Sequence, residues 1–510
     1  MGVATTMAVS LVGLEGHMVQ VQAHLSATVP GFTVVGLPDT ALNESRDRVR
    51  AAVTSTGLTW PVRKITVNLS PAGLRKRGSG YDLAIAVAVL AGAGEIPAGG
   101  LDGVVHLGEL GLDGRIQPVR GVLPAVAAAV DAGYERIVVA VCDADEARLV
   151  PGARVIGAAS LGEVVALHGG DAALVRSVEP VRRPRTAGYT FAPGDMADVV
   201  GQADARRALE VAAAGGHHLF FVGPPGSGKT MLASRLPGIL PDLTEREAVE
   251  VTAVHSVAGT FDPADGLIRR PPFEDPHHTA TPAAVVGGGS GVPRPGAATR
   301  AHRGILFLDE VAEFRPSVLD TLRQPLEQGE LTIHRTAGVA RYPARFQMVL
   351  AANPCPCGMS IGKGLECTCT PTVRRKYLGR LSGPLLDRVD LQVEVLPVAN
   401  VDRQQGSGEP TASVAERVVS ARQAARERLR GTGWTTNAEV PGSWLRETLR
   451  PREDIGDLLD HALSTGMLSL RGADRVLRVA WTIADLAGRD APTVDDVGDA
   501  LGLRRGGRHG

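Results

Sequence analysis

Gly223-Pro224-Pro225-Gly226-Ser227-Gly228-Lys229-Thr230 is the stretch from which the rest of the chain can be read. The apolar run Leu219-Phe220-Phe221-Val222 stands just before it and predicts a buried strand. Met231-Leu232-Ala233, just after it, predicts the start of a helix. Strand, Gly-rich loop and helix in that order are the setting in which G-x-x-x-x-G-K-[ST] cradles phosphates. The glycines let the backbone wrap the anion, and backbone N–H groups at the helix N-terminus face its charge. Lys229 is expected to reach the β- and γ-phosphates of ATP, and Thr230 to ligate Mg²⁺.

A phosphate cradle alone hydrolyses nothing. Gly304-Ile305-Leu306-Phe307-Leu308-Asp309-Glu310 predicts a second buried strand that ends in two carboxylates. Asp309 is placed to hold the Mg²⁺ shell, and Glu310 to polarise the attacking water. A third strand, Phe346 to Ala352, ends in Asn353, a polar side chain that could orient that water. Each piece alone is a weak signal. Three such strands in this order, after a phosphate loop, are hard to obtain by chance.

Length and composition agree. The chain has 510 residues, enough for two to four domains; 44% are apolar and 21% charged, as in globular proteins. Aromatic residues are 4%, so the cores must be aliphatic. A net charge of −1 argues against a wholly basic nucleic-acid coat but permits a local basic channel. The apolar stretch Leu83 to Ala93 is too short to span a bilayer, and Met1 to His17 lacks a charged n-region. Four of the five cysteines crowd between Cys355 and Cys369, unlike a secreted disulfide framework. The cytoplasm is the expected compartment, with no membrane partner.

Residues 1–170 predict a separate α/β domain. Strands are expected near Val19 to Ala23, Ile65 to Leu69 and Arg136 to Val141, and helices at Leu42 to Thr56, Leu83 to Ala93 and Pro124 to Ala132. Ser160 and Glu163 predict a capping box on a last helix. Lys76-Arg77-Gly78-Ser79-Gly80-Tyr81-Asp82-Leu83 with Arg120-Gly121-Val122-Leu123-Pro124-Ala125 resembles the proteolytic domain of Lon, built on the ribosomal-protein-S5-like fold. The resemblance puts the family's serine at Gly80 and its lysine at Ala125, so the Ser–Lys dyad is absent and proteolysis is not expected. Assembly or nucleic-acid contact is the expected role.

Residues 171–193 read as a basic linker, with Arg176, Arg182, Arg183 and Arg185 among prolines. It is either a strap near DNA or a solvated connector. The ATPase core is expected over 194–397, opening with Gly201-Gln202 at the distance where AAA+ proteins contact adenine. Pro276-His277-His278-Thr279 and the glycines of Val286 to Gly291 suggest a mobile loop facing nucleic acid. Adjacent histidines in a strand point to opposite faces, which argues against a joint metal site. A helix is expected from Pro316 to Glu327. His334 and Arg335 precede Thr336-Ala337-Gly338 in a predicted hairpin, which either projects into a ring's pore or is a plain surface turn. Cys355, Cys357, Cys367 and Cys369 could surround a structural Zn²⁺ or remain free thiols. Arg388 ends a helix at a point from which it could reach a neighbour's γ-phosphate.

Residues 398–503 predict a helical lid, and 504–510 a basic tail. Val414, Val418, Ala421, Ala425 and Leu429 form one apolar stripe, with further helices expected at 454–464, 471–487 and 493–501. Phe273 through Gly291, Ala301 through Glu310, Asn353 through Gly358, Leu381 through Leu391 and Arg478 through Leu486 together resemble the YifB/ComM family of magnesium-chelatase-like AAA+ ATPases. The resemblance covers essentially the whole chain. It implies an N-terminal Lon-like α/β domain, a central AAA+ P-loop domain and a C-terminal helical lid. It also implies ATP and Mg²⁺, a homo-oligomer (a hexamer), and single-stranded or branched DNA moved as in branch migration. By resemblance Lys229 and Thr230 are Walker A, Asp309 and Glu310 Walker B, Asn353 sensor 1, Arg388 the arginine finger and Arg471 sensor 2. His277, His278, His334 and Arg335 are the candidate DNA contacts. A chelatase-type ATPase that remodels a protein partner is the other reading.

Overall fold

The computed structural model describes residues 2–36, 40–74, 76, 78–97, 99–175, 178–183, 191–288, 294–335, 338–360, 366–397, 408–448 and 453–505. Two compact units emerge. The first comprises Met1–Thr190 with two later segments, Ala248–Ile268 and Thr332–Tyr342; the second comprises Phe191–Glu247, Arg269–Leu331 and Pro343–Gly510.

A seven-stranded mixed sheet organises the first unit. Gly2–Val12 and Glu15–Ser26 form a long antiparallel pair, extended on one side by Lys64–Ser70 and Gly31–Val35. On the other side Val104–His106, Arg136–Ala140 and Arg154–Ala158 add in parallel. Side chains alternate between two apolar layers, as a pleated strand requires. Val138 and Ala140 join Val19, Val21, Ala23 and Leu25 in one layer, while Ile137 and Val139 join Val9 and Val105 in the other. The Asp82–Ala93 helix is apolar almost all round, and every residue from Asp82 to Leu90 is buried. Its one charge is held by Arg48, whose Nε donates to Asp82 Oδ2 at 2.7 Å. Burial nevertheless pushes Asp82 up to about 6. Ser160 accepts from the Glu163 N–H at 3.3 Å, while Glu163 reaches back to the Ala159 N–H at 2.8 Å, one residue earlier than a strict capping box.

At the positions to which the resemblance assigns nucleophile and base, Gly80 carries no side chain and Ala125 is buried, while the neighbouring Ser79 donates to Glu109. Part of the linker also has a fixed role. Arg182 is a surface partner of Glu179, but Arg183 is drawn inward between the buried Asp143 and Glu146. Of the strap and the solvated connector, neither describes Arg183; it is an internal counter-ion, since two buried carboxylates need a cation. Arg176 and Arg185 lie outside the described residues.

The second unit is built on a five-stranded parallel sheet in the order Phe273–Glu274, Ile305–Leu308, Gln347–Ala352, Leu219–Val222, Leu391–Glu394. Its three central strands are buried runs with no polar face, as a sheet covered on both sides demands. The helix expected from Pro316 to Glu327 is two helices, Pro316–Thr321 and Arg323–Gln328. Pro325 causes the break: it has no N–H for the Thr321 carbonyl, and its ring crowds that group. The lid helices Thr411–Arg428, Gly442–Glu447, Glu453–Ser464, Leu470–Leu486 and Val494–Arg505 share one apolar core with the ATPase strands and helices. Val414, Val418, Ala421 and Leu429 belong to that core and Ala425 is buried with them, as their spacing predicts.

Candidate nucleotide site

The phosphate loop leaves the C-terminal end of the Leu219–Val222 strand and enters the Lys229–Ile239 helix. Gly226 and Gly228 take φ of 75° and 94°, the left-handed region that disfavours side chains. Gly223 is required for a different reason: a Cβ there would lie 2.2 Å from the Val395 carbonyl oxygen. Lys229 is buried, and its Nζ donates to the carbonyls of Gly223 and Pro224, each at 2.8 Å, and to Asn353 Oδ1 at 3.3 Å. Burial lowers its pKa, and Asp309 and Glu310 act in the opposite sense.

Thr230 Oγ1 donates to Asp309 Oδ2 at 2.6 Å, so the helix start and the neighbouring strand end meet where a divalent cation would be shared. Glu310 donates its backbone N–H to Asp309 Oδ1 at 2.8 Å and takes φ of 49°. Such a conformation is uncommon outside glycine and here turns the chain directly after two carboxylates. His278 Nδ1 lies 3.1 Å from Glu310 Oε2. Lys229, Thr230, Asp309, Glu310 and Asn353 thus gather at one end of the parallel sheet, the crevice at the carboxyl ends of the strands where such folds bind ligands.

Arg388 lies at the other end. It precedes the Leu391–Glu394 strand, which runs parallel to the strand feeding the phosphate loop, so the sheet separates it from Lys229. Its Nη1 donates to the Pro384 carbonyl at 2.5 Å, and its Nη2 pairs with Glu327. Burial lowers its pKa, and Arg323, Arg471 and Arg475 lower it further. Arg471 is thus near enough to Arg388 for its charge to act on it. One helical turn on, Arg475 Nε is 3.4 Å from the buried Asp390.

The remaining candidates differ in fate. His277 and His278 follow their strand and occupy a turn with rings 4.1 Å apart, so the alternation expected of strand neighbours does not apply. His277 Nδ1 is 2.8 Å from Thr279 Oγ1 and is exposed; His278 is occupied by Glu310. The side chains of His334 and Arg335 and the turn at 336–337 lie outside what the structure describes. The hairpin itself belongs to the first unit, where Ile333, Ala340 and Tyr342 pack with Leu14 and Val257. Gln202 Nε2 donates to the carbonyls of Leu396 at 2.5 Å and Ser227 at 3.3 Å, bracing the phosphate loop. Neither this brace nor the His278–Glu310 contact has a sequence signature, since the partners are far apart in the chain.

The four cysteines come together. Their sulfurs lie within 4.8 Å of one another, with Cys355–Cys357 at 3.3 Å and Cys355–Cys367 and Cys357–Cys367 at 3.7 Å. A tetrahedron of thiolates about 2.3 Å from Zn²⁺ has S···S edges of about 3.8 Å. The donor set fits that ion and leaves no open position for chemistry. Among the described residues this is the one His/Cys/Asp/Glu group that could hold a metal.

Sheet order, phosphate loop and paired carboxylates define an AAA+ P-loop ATPase of the magnesium-chelatase type. Family models agree: "Magnesium chelatase, subunit ChlI" matches residues 195–403, "Subunit ChlI of Mg-chelatase" residues 21–143, and the ChlI C-terminal model residues 408–504. The chain is 51% identical over 508 residues to an uncharacterised protein of Mycobacterium tuberculosis, covering 99% of both. It is 40% identical over 494 residues to competence protein ComM of Haemophilus influenzae, covering 96% of this chain and 95% of that one. It belongs to the YifB/ComM family of magnesium-chelatase-like AAA+ proteins. Part of it, 26% of the chain, is also 34% identical to Lon protease 2 of Bacillus subtilis over 151 residues. No helix among the described residues is long and apolar enough to cross a membrane.

Proposed function

We propose that the chain is an ATP-hydrolysing motor that assembles as a homo-oligomeric ring, a hexamer, and works in the cytoplasm on single-stranded or branched DNA. In this reading it is a branch-migration helicase that helps incoming DNA recombine. The observation that carries it is the full-length similarity to a protein named for competence, in a chain that keeps Lys229, Thr230, Asp309, Glu310 and Asn353 grouped at one sheet end.

Thr230 and Asp309 would hold Mg²⁺, which neutralises charge on the β- and γ-oxygens of ATP. Lys229 turns from its loop carbonyls to the phosphates. Asn353, already 3.3 Å from Lys229 Nζ, orients the water, and Glu310 takes its proton. Arg388 cannot serve its own site from the far end of the sheet, so a neighbouring subunit receives it, with Arg471 beside it. The phosphates that Arg471 senses are then also a neighbour's, not its own. The four cysteines hold a structural Zn²⁺, and His277 remains an exposed candidate for DNA.

The test is ATP turnover with and without forked DNA, paired with strand displacement on a labelled junction. Stimulation and displacement are expected. The family descriptions favour a second reading, a chelatase-like ATPase that remodels a protein partner. Turnover indifferent to every DNA form, with no displacement, would select it.

A further inference from the structure

The thiol cluster does not stand apart from the nucleotide loop. Cys355 to Gly358 form a tight turn in which the Gly358 N–H donates to the Cys355 carbonyl at 2.9 Å. Gly358 presses on the phosphate loop so closely that a Cβ there would lie 2.4 Å from Pro225 Cδ and 2.9 Å from its Cγ. The same turn is joined through Pro354 to Asn353, whose Oδ1 accepts from Lys229. The cluster therefore reaches the loop from two directions, by contact at Pro225 and through Asn353 at Lys229.

Its other half is anchored too. Cys369 leads directly into Thr370, which caps the Pro371–Leu378 helix, and Arg374 of that helix returns to Ser360 Oγ at 3.1 Å. Arg380, just beyond the helix, donates to the Ala312 carbonyl and to Glu313, each at 3.2 Å, in the segment that follows Glu310.

We propose that the four thiolates bind one Zn²⁺ and that this ion sets nucleotide affinity by holding the Cys355–Gly358 turn against Pro225. The inference rests on the reading of the phosphate loop as a nucleotide site. A single cross-link joining two chain segments fixes the wall behind Pro225; without it, the loop must be ordered by the nucleotide itself, at a cost in affinity. Coupling of this kind is reciprocal: zinc tightens ATP binding, and bound ATP slows the loss of zinc by the same linkage. The expected size is about tenfold, within the usual range for coupled sites.

The experiment uses the full chain with zinc counted by elemental analysis and affinity measured with a fluorescent ATP analogue in excess Mg²⁺. Treatment with a zinc-selective chelator is expected to weaken binding about tenfold, with recovery on adding Zn²⁺; ATP should delay zinc release. Gly358→Val should lose affinity, because the added side chain displaces Pro225 and strains a turn held at φ of 77°, and its zinc is counted in the same sample. That variant and the reversible chelation carry the test if Cys367→Ser fails to fold. Lys229→Ala serves as the control. If it loses the analogue while removal of zinc and Gly358→Val change nothing, the coupling is wrong and the nucleotide site stands. If Lys229→Ala binds like the parent protein, both are wrong. A chain that takes up no zinc overturns the proposal outright.

Discussion

At the scale of single residues, the site makes three separable demands. Lys229→Ala removes the buried cation that Asn353 and two carbonyls hold ready. Turnover is expected to fall on the order of 10²-fold or more, as when a positioned donor to a developing charge is lost; steady-state ATPase assays check it. Glu310→Gln should bind ATP and retain it. His278 donates to a carboxylate oxygen that must instead meet water, so His278→Ala is expected to raise DNA-free turnover about fivefold, the equivalent of one net hydrogen bond of about 1 kcal/mol. A decrease would show that the histidine orients Glu310 productively. In the first unit, Thr6, His106 and His168 form a relay: Thr6 Oγ1 to His106 Nδ1 at 2.8 Å, His106 Nε2 to His168 Nε2 at 2.9 Å, and His168 Nδ1 to the Gly100 carbonyl at 2.8 Å. The carbonyl only accepts, so His168 Nδ1 carries its proton and Nε2 must accept from His106. A further proton on His168 sets two N–H groups against each other, whereas one on His106 falls on Nδ1, facing the Thr6 hydroxyl in a fully buried site. Burial holds both rings below the ordinary 6.5, His106 at about 3. A depressed histidine contributes stability that is complete above the unfolded value and lost as pH falls from about 6.5 toward the folded one. The buried Asp82 and Asp143, pushed up by burial, act in the opposite sense. The measurement is therefore a difference: denaturation midpoints of the parent chain and His106→Gln between pH 7.5 and 5 should converge on acidification.

At the scale of elements, the lid is fastened by a polar cluster at its base. Arg428 makes a two-pronged pair with the buried Asp485 at 2.6 and 2.7 Å and stacks over Trp481 at 4.3 Å. Asn437 Nδ2 donates to the same carboxylate at 2.8 Å, and Thr482 meets His217, just ahead of the phosphate-loop strand, at 2.8 Å. Asp485→Ala leaves a guanidinium and an amide without their acceptor in a closed space. A loss of about 3–5 kcal/mol is expected in urea unfolding of the intact chain. The sequence exposes elements unevenly. The strands ending in Val222, Asp309 and Asn353 are legible because each is a short apolar run closed by a chemically distinctive residue. The Thr411–Arg428 helix is legible from its four-residue apolar spacing. Pro325 could have shown that the helix after Glu310 divides. What no pattern revealed is who faces whom across the fold: His278 on Glu310, Gly358 on Pro225, Arg183 between two buried carboxylates. Those pairings depend on loop paths, and nothing local specifies them.

At the scale of the whole molecule, catalysis should be shared between copies. Lys229 and Arg388 stand at opposite ends of one parallel sheet, so neither completes a site with the other in the same chain. Arg388→Ala and Lys229→Ala are each expected to be inactive, and a mixture in which subunits exchange should recover part of the turnover through interfaces that pair an intact Lys229 with an intact Arg388. Full activity of dilute, monomeric Arg388→Ala would refute the arrangement. The division of the chain bears on something further. The first unit takes in Ala248–Ile268 and Thr332–Tyr342, and its buried Glu146 accepts from Ser256 of the first of these. A growing polypeptide emerges from the ribosome in order, and N-terminal domains ordinarily fold as they appear. Here the opening 190 residues must wait for Tyr342 to be synthesised, with part of the ATPase framework already made, before their last hairpin arrives. A fragment cut at the apparent domain border would leave Glu146 without Ser256, and Leu14 without Tyr342 and Val257. The first unit is therefore complete only once Tyr342 has been made.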